Sequence, residues 1–266
     1  MPLKIATVSK AQLESVPLPQ HGPSYTVVSH GTVISEVKNA LKDYGYRIVS
    51  ETYRASAHCN IAQGVYHLYS QNDPDMGLMF AWSNSYDKSH RFRCAIGSHV
   101  YVCGNGMLSG NMNTYARKHT GTADKDVVTA IDEQLVDAKL KFALLINDKN
   151  TMKNIILSEN QKAEMIGRLF LQENLLNSNQ IGMVKKQLED PSHYYNADAN
   201  SIWTIYNHIT NALKESHPRY WVEDHQNLHD FVMAEYAGIM GQQKKDTLDV
   251  IDTEETVEID PDDIIF

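Results

Sequence analysis

The residues best equipped for chemistry in this chain are cations set among aromatic rings. Tyr86 to Arg93 reads Tyr-Asp-Lys-Ser-His-Arg-Phe-Arg, which supplies Tyr86, Lys88, Arg91 and Arg93. At strand spacing Arg91 and Arg93 share one face and Phe92 takes the other. A second group stands at Tyr115-Ala116-Arg117-Lys118-His119, and Arg54 follows Tyr53 at the end of an earlier strand-like run. Sequence-tolerant binding of single strands uses this mixture: cations track phosphates while rings stack on bases, at ~1–3 kcal/mol per stacked base. The competing reading is structural, with Phe92 and Tyr115 in a core and the charges in water. The candidate DNA contacts are therefore Arg54, Tyr86, Lys88, Arg91, Arg93, Tyr115, Arg117 and Lys118.

Other chemistries have weaker support. His90-x-x-x-Cys94 and His99-x-x-x-Cys103 repeat one spacing. Residues four apart on a strand share a face, so two strands could offer His90, Cys94, His99 and Cys103 to one zinc ion. Structural zinc sites usually draw on tight Cys-x-x-Cys knuckles, which are absent here. There is no Gly-x-x-x-x-Gly-Lys-Ser/Thr loop, Gly-x-Ser-x-Gly elbow or His-Glu-x-x-His helix. A non-catalytic binding protein without a cofactor is the expectation.

The charge is unevenly placed. The chain holds 33 acids and 24 bases, for a net charge of −9. Nine of the acids and none of the bases fall between Asp246 and Phe266, which leaves 24 of each in residues 1–245. A neutral body has no bulk field to attract a polyanion, so binding must rest on local patches. The segment 242–266 is expected to be a disordered acidic tail, because it repels itself and carries little apolar mass. Its end, Asp262-Asp263-Ile264-Ile265-Phe266, places three large apolar residues behind acids at the terminus, as in a peptide made for another protein's pocket.

These residues need a scaffold. Hydrophobic residues make up 42% of the 266, enough for a sizeable core. No run approaches the roughly 20 apolar residues of a membrane helix. The first residues lack the apolar region of a signal peptide, and three cysteines are too few for a disulfide scaffold, so a cytoplasmic setting is expected. Residues 1–29, with Pro17, Pro19 and Pro23, read as an extended arm. A helix is expected over about 30–44, with Ser29 or Thr32 as cap and Gly45 after its end. Period-two runs follow at Tyr46–Tyr53, Gly64–Tyr69, Gly77–Asn84, His90–Ile96 and His99–Cys103. Helical periodicity takes over at 124–145, 158–176, 180–188, 200–215 and 226–238. The fold class is α+β: a helix and an antiparallel strand meander, then a mostly helical half. Residues 30–241 form one domain, with a sub-boundary conceivable near 124.

Two resemblances follow. The last five residues resemble the carboxyl-terminal tip of bacterial single-stranded DNA-binding proteins, with Ile265 where that tip commonly has proline. The resemblance implies recruitment of replication and recombination enzymes through Ile264, Ile265 and Phe266, with Asp262 and Asp263 meeting a basic rim. The body resembles a phage- and plasmid-borne family of unknown function, number 932, over about residues 30–235. The resemblance is carried by Arg93–Met107, by Arg117-Lys118-His119-Thr120-Gly121 and by Ser201–Thr210. It implies a mobile-element setting and no particular chemistry. The element order also resembles, at fold level, the single-strand annealing recombinases of the Rad52 type.

The leading reading is a phage or mobile-element protein that binds single-stranded DNA without sequence preference in the host cytoplasm. Its tail, with a reach of roughly 25 Å as a flexible coil, recruits partner enzymes and competes with DNA for the groove. One alternative is an annealing recombinase acting as a homo-oligomer. Another is an interaction or anti-defence protein that binds no DNA and uses the tail as a mimic.

Overall fold

The computed structural model describes residues 5–20, 27–70, 72–90, 92–108, 115–117 and 123–236, with backbone alone at 115–117 and 123–125. Arg91, Lys118 and the acidic tail therefore lie outside the described residues. The chain has two compact units, Met1–His229 and Asp230–Phe266. The described part of the second unit, residues 230–236, is helical.

The first unit is built on an antiparallel meander. Strands β1 (Ile5–Val8), β2 (Ile48–Ser56), β3 (Ile61–Leu68), β4 (Met76–Ser85), β5 (Phe92–Val100) and β6 (Gly106–Met107) pair in that order, and β7 (Tyr115–Arg117) pairs with β5. All ten residues of β4 are buried. Both of its faces are covered, which explains a nearly unbroken apolar run, Met-Gly-Leu-Met-Phe-Ala-Trp, where a half-exposed strand would alternate.

Helices α1 (Lys10–Glu14) and α2 (His30–Asp43) frame the start of the sheet. Ser29 caps α2 by accepting from the Thr32 amide, and Gly45 follows its end at φ +77°, a conformation glycine adopts without strain. The second half holds α3 (Ala123–Val136), α4 (Ala138–Asn154), α5 (Glu159–Leu171), α6 (Ser178–Glu189) and α7 (Ile202–Leu213). A further helix begins at 221. Nearly every residue of α7 is buried, so it forms the centre of the helical half.

Register assigns the two sheet faces. On one, Tyr53, Tyr66, Phe80, Trp82 and Cys94 form a large-residue core, and the Cys94 thiol points to the Ala130 carbonyl of α3. Trp82 fits because its partner on β3 is Gly64: a Cβ there would lie 2.4 Å from the indole nitrogen. On the other face the residues are smaller. Val65, Met79, Ala81 and Ala95 receive Trp221 and Val222.

Several expectations change. Residues 5–14 are a sheet strand and a short helix where an arm was expected; β1 pairs with Tyr53–Ser56 of β2. The two runs His90–Ile96 and His99–Cys103 are one strand, β5, ending in a turn at 101–103. Gly97 does not break it, because the Leu108 side chain occupies the space of its missing Cβ. The run 124–145 is two helices, separated at Asp137.

A buried charge network pins α4 to the β3–β4 turn. Lys149 Nζ lies 2.6 Å from Asp73 and 2.9 Å from Asp75, and Lys153 lies 2.6 Å from Asp75. Asp73 also accepts from the amides of Asp75 and Met76. Hydrogen bonds from both lysines hold the Asp75 carboxyl below the usual range against the opposing effect of burial.

Candidate nucleic-acid interface

The small-residue face of the sheet carries two of the eight residues that sequence points to, Arg54 and Arg93, and it divides into a covered row and an open end. In the covered row, register aligns Arg54, Gln63, Ser83 and Arg93 across β2 to β5. Direct partners on one face have Cβ atoms about 5 Å apart, so two cations 39 positions apart in sequence join one polar stripe. The segment 216–223 lies over it. Arg54 donates to the Ser216 carbonyl at 3.1 Å and Ser83 to the Pro218 carbonyl at 2.9 Å. Arg93 donates to the Arg219 carbonyl at 3.4 Å and pairs with Glu223 at 2.6 Å. Burial lowers the Arg54 pKa, with Glu215 opposing. Both guanidiniums are thus partly answered by the protein itself. Asp224, hydrogen-bonded to Ser216 and near Arg93, is pushed up to about 6 by burial.

The remaining predicted contacts scatter. Tyr86 is 5% exposed and stacks on His30 with ring centroids 3.9 Å apart, its hydroxyl accepting from the His30 amide. Its ring packs inside the protein and offers no open face to a base. Lys88 is exposed in the β4–β5 turn at φ 62°. The backbones of Tyr115 and Arg117 pair with Cys94 and Phe92 at the β5 edge.

The four residues of the zinc alternative do not converge. His90 precedes β5 and its Nε2 bonds the Ser83 hydroxyl at 2.8 Å. Cys94 and His99, an odd number of residues apart on one strand, face opposite sides of the sheet. Cys103 lies beyond the strand, in the turn, and burial raises the pKa of its thiol. Among the described residues no group of three or more His, Cys, Asp or Glu could hold a metal ion.

The open end was not visible in the sequence. Tyr69 and Tyr101 are each 45% exposed. The Arg47 guanidinium lies 4.0 Å from the centre of the Tyr69 ring, and the Tyr69 amide donates to the Arg47 carbonyl at 2.8 Å. Tyr101 donates from its hydroxyl to the Ser70 carbonyl at 3.0 Å and meets the edge of His99. His99 stacks on His67 at 3.9 Å and 6°, and His67 bonds Ser50. Gly77 makes this possible: a Cβ there would stand 2.5 Å from His99 and 2.8 Å from Tyr101. Burial, then the neighbouring His67, pushes His99 down to about 4, so the ring is neutral at pH 7. Arg47 is exposed and has no carboxylate partner among the described residues. The Asp73–Asp75–Lys149 network fixes the turn beneath, and the Tyr101 amide donates to the Asp75 carbonyl.

This end has what a single-strand site requires: an exposed cation, two part-exposed rings and a rigid sheet behind them. No helix among the described residues is long and apolar enough to cross a membrane.

No curated protein and no solved structure matches the chain. A family model does match, over residues 17–233, from before α2 into the helix that begins at 221. With most of its length covered, including both parts of the sheet face, the chain belongs to the family described as Domain of unknown function (DUF932).

Proposed function

We propose that this protein binds single-stranded DNA without sequence preference, in the replication or recombination of a phage or other mobile element. The observation that carries the reading is the open end of the sheet, where Arg47, Tyr69 and Tyr101 stand exposed beside the His67–His99 stack. The rings would stack on bases and Arg47 would meet a phosphate. Neither contact reads base identity, so binding tolerates any sequence. Arg54 and Arg93 would add phosphate contacts only where the strand displaces their present partners. The acidic tail, whose sequence ends in Ile264, Ile265 and Phe266, would recruit partner enzymes and compete with DNA for the cations.

The test is fluorescence anisotropy with labelled oligo-dT at two salt concentrations, using the full chain and a chain ending at residue 257. Binding that weakens with salt and tightens on truncation is expected, since counterions are released and four of the nine competing acids are removed with the apolar tip. Flat, weak binding in every arm would refute the DNA reading. Weaker binding by the truncated chain would refute competition by the tail.

A further inference from the structure

The centre of the covered row contains an anomaly. Gln63 is 1% exposed, yet neither its Oε1 nor its Nε2 has a hydrogen-bond partner among the described residues. A buried amide without partners costs free energy that folding ordinarily avoids. Its surroundings are equally underused. Gln63 lies between Arg54, which holds the Ser216 carbonyl, and Ser83, which holds the Pro218 carbonyl. The residue bridging those two anchors is His217. Its Nδ1 accepts from the Arg219 amide, so its proton sits on Nε2, and that N–H has no partner among the described residues. Arg54 has one hydrogen bond among the described residues, leaving the rest of its donor fork unspent. His225, fully buried, donates from Nδ1 to the Trp221 carbonyl, and its Nε2 has no hydrogen-bond partner among the described residues; its ring interacts electrostatically with Arg54.

We infer that Arg54, Gln63 and His217 form a binding site for a phosphate-class oxyanion, held between the sheet and segment 216–218. The donor set fits the ligand. A guanidinium fork, an amide N–H and an imidazole N–H supply directional donors and one fixed positive charge, and the Gln63 carbonyl can accept from a phosphate hydroxyl. The charged residues around it are Glu215 and Asp87, both exposed, Arg219, which adds a second positive charge beside His217, and Asp224, which turns to Ser216 on the Arg93 side. The ligand is either free phosphate or the terminal phosphate of a nucleic-acid strand. The site stands on the geometry of Gln63 and does not depend on DNA binding at the open end.

Thermal unfolding of the full chain, in sodium phosphate against sodium chloride at equal ionic strength, tests this. Phosphate should raise the wild-type midpoint in a saturable way, as a ligand selective for the folded state does. Gln63→Met, of similar volume and without polar atoms, should unfold at a higher temperature than wild type in chloride and bind phosphate at least tenfold more weakly. Anisotropy with 5′-phosphorylated and 5′-hydroxyl oligo-dT separates the sources. Tighter binding of the phosphorylated strand, lost in Gln63→Met, assigns a strand end; equal binding with a saturable phosphate shift assigns the free ion. No saturable shift in wild type, with no preference for the phosphorylated strand, means the amide meets water only and overturns the inference. So does a Gln63→Met chain that binds phosphate like wild type, or one that is less stable than wild type in chloride.

Discussion

Arg54 and Arg47 both project from β2 or its lead-in on the small-residue side of the sheet, and their surroundings differ. Arg54 is half-buried, donates to a main-chain carbonyl and stands in a row closed by segment 216–223. Arg47 is exposed and covers the ring of Tyr69. The same residue type lies under a later segment of chain at one end of the face and open to solvent at the other. Cation and ring counts cannot separate the two; what separates them is whether a later segment of chain answers the charge first.

The comparison can be broken at the turn that supports the open end. Lys149→Met removes the cation that, among the described residues, joins Asp73 to Asp75; Asp75 keeps Lys153, and the buried Asp73 carboxylate is left unbalanced. A loss of about 3–5 kcal/mol in urea unfolding is expected, the usual consequence of removing one partner from a buried pair. A loss below about 1 kcal/mol would show that the turn is not held this way.

Acid should weaken the fold through histidines that are kept neutral. Burial pushes His99, His208 and His225 each down to about 4. In the unfolded chain they titrate near 6.5. Between these values the unfolded state binds more protons, so their contribution is intact above pH 6.5 and is lost as pH falls to 4. Asp224, raised to about 6, acts in the opposite direction, gaining stability as pH falls through 6. His67 and His217, also lowered by burial, act with the three histidines against the one carboxyl, so the urea midpoint should drop between pH 6.5 and 4, and more steeply in Asp224→Asn. A midpoint unchanged from pH 7 to 4.5 would contradict the neutral burial of these rings.

Salt sharpens the contrast between the two arginines. A phosphate contact on a single strand contributes about 0.7 to the slope of log affinity against log salt. Arg47→Ala should lower the slope by about that amount. Arg93→Ala should leave it unchanged, because Glu223 already answers that charge. An equal fall in both variants would make the closed row part of the site. The stability change in Arg93→Ala should be the smallest effect of all, below about 1 kcal/mol for a partly exposed pair.

The fold was largely legible because periodicity is a local signal. Ser29, the apolar spacing of α2 and Gly45 mark one helix, and period-two runs mark β2 to β5. The missed elements lack such a signal. β1 is four residues long, and its identity as a strand depends on pairing with β2. Gly97-Ser98 looks like a turn in sequence, although the glycine serves a close approach by Leu108. The site was less legible than the fold. Period two correctly separates Arg93 from Phe92, but it does not say that Arg93 is in register with Ser83, Gln63 and Arg54. Arg47, Tyr69 and Tyr101 are isolated in sequence and meet only through the β2–β3 hairpin and the end of β5. Aligning the β2 and β3 runs as a hairpin would have brought Arg47 beside Tyr69; nothing comparable points to Tyr101. Tyr86 failed as an open ring for the opposite reason: its cationic neighbours in sequence hide the fact that it packs on His30.

The most direct test of the central claim is the oligo-dT affinity of Tyr69→Ala/Tyr101→Ala, measured beside Arg93→Ala on chains whose folding is verified by circular dichroism. Stacking at ~1–3 kcal/mol per base predicts at least a roughly fivefold loss per ring, and about 25-fold or more for the pair. Arg93→Ala should bind within about twofold of wild type, as a charge already answered by Glu223 would. Unchanged affinity in the double variant, with a large loss in Arg93→Ala, would contradict the account and move the site to the closed row.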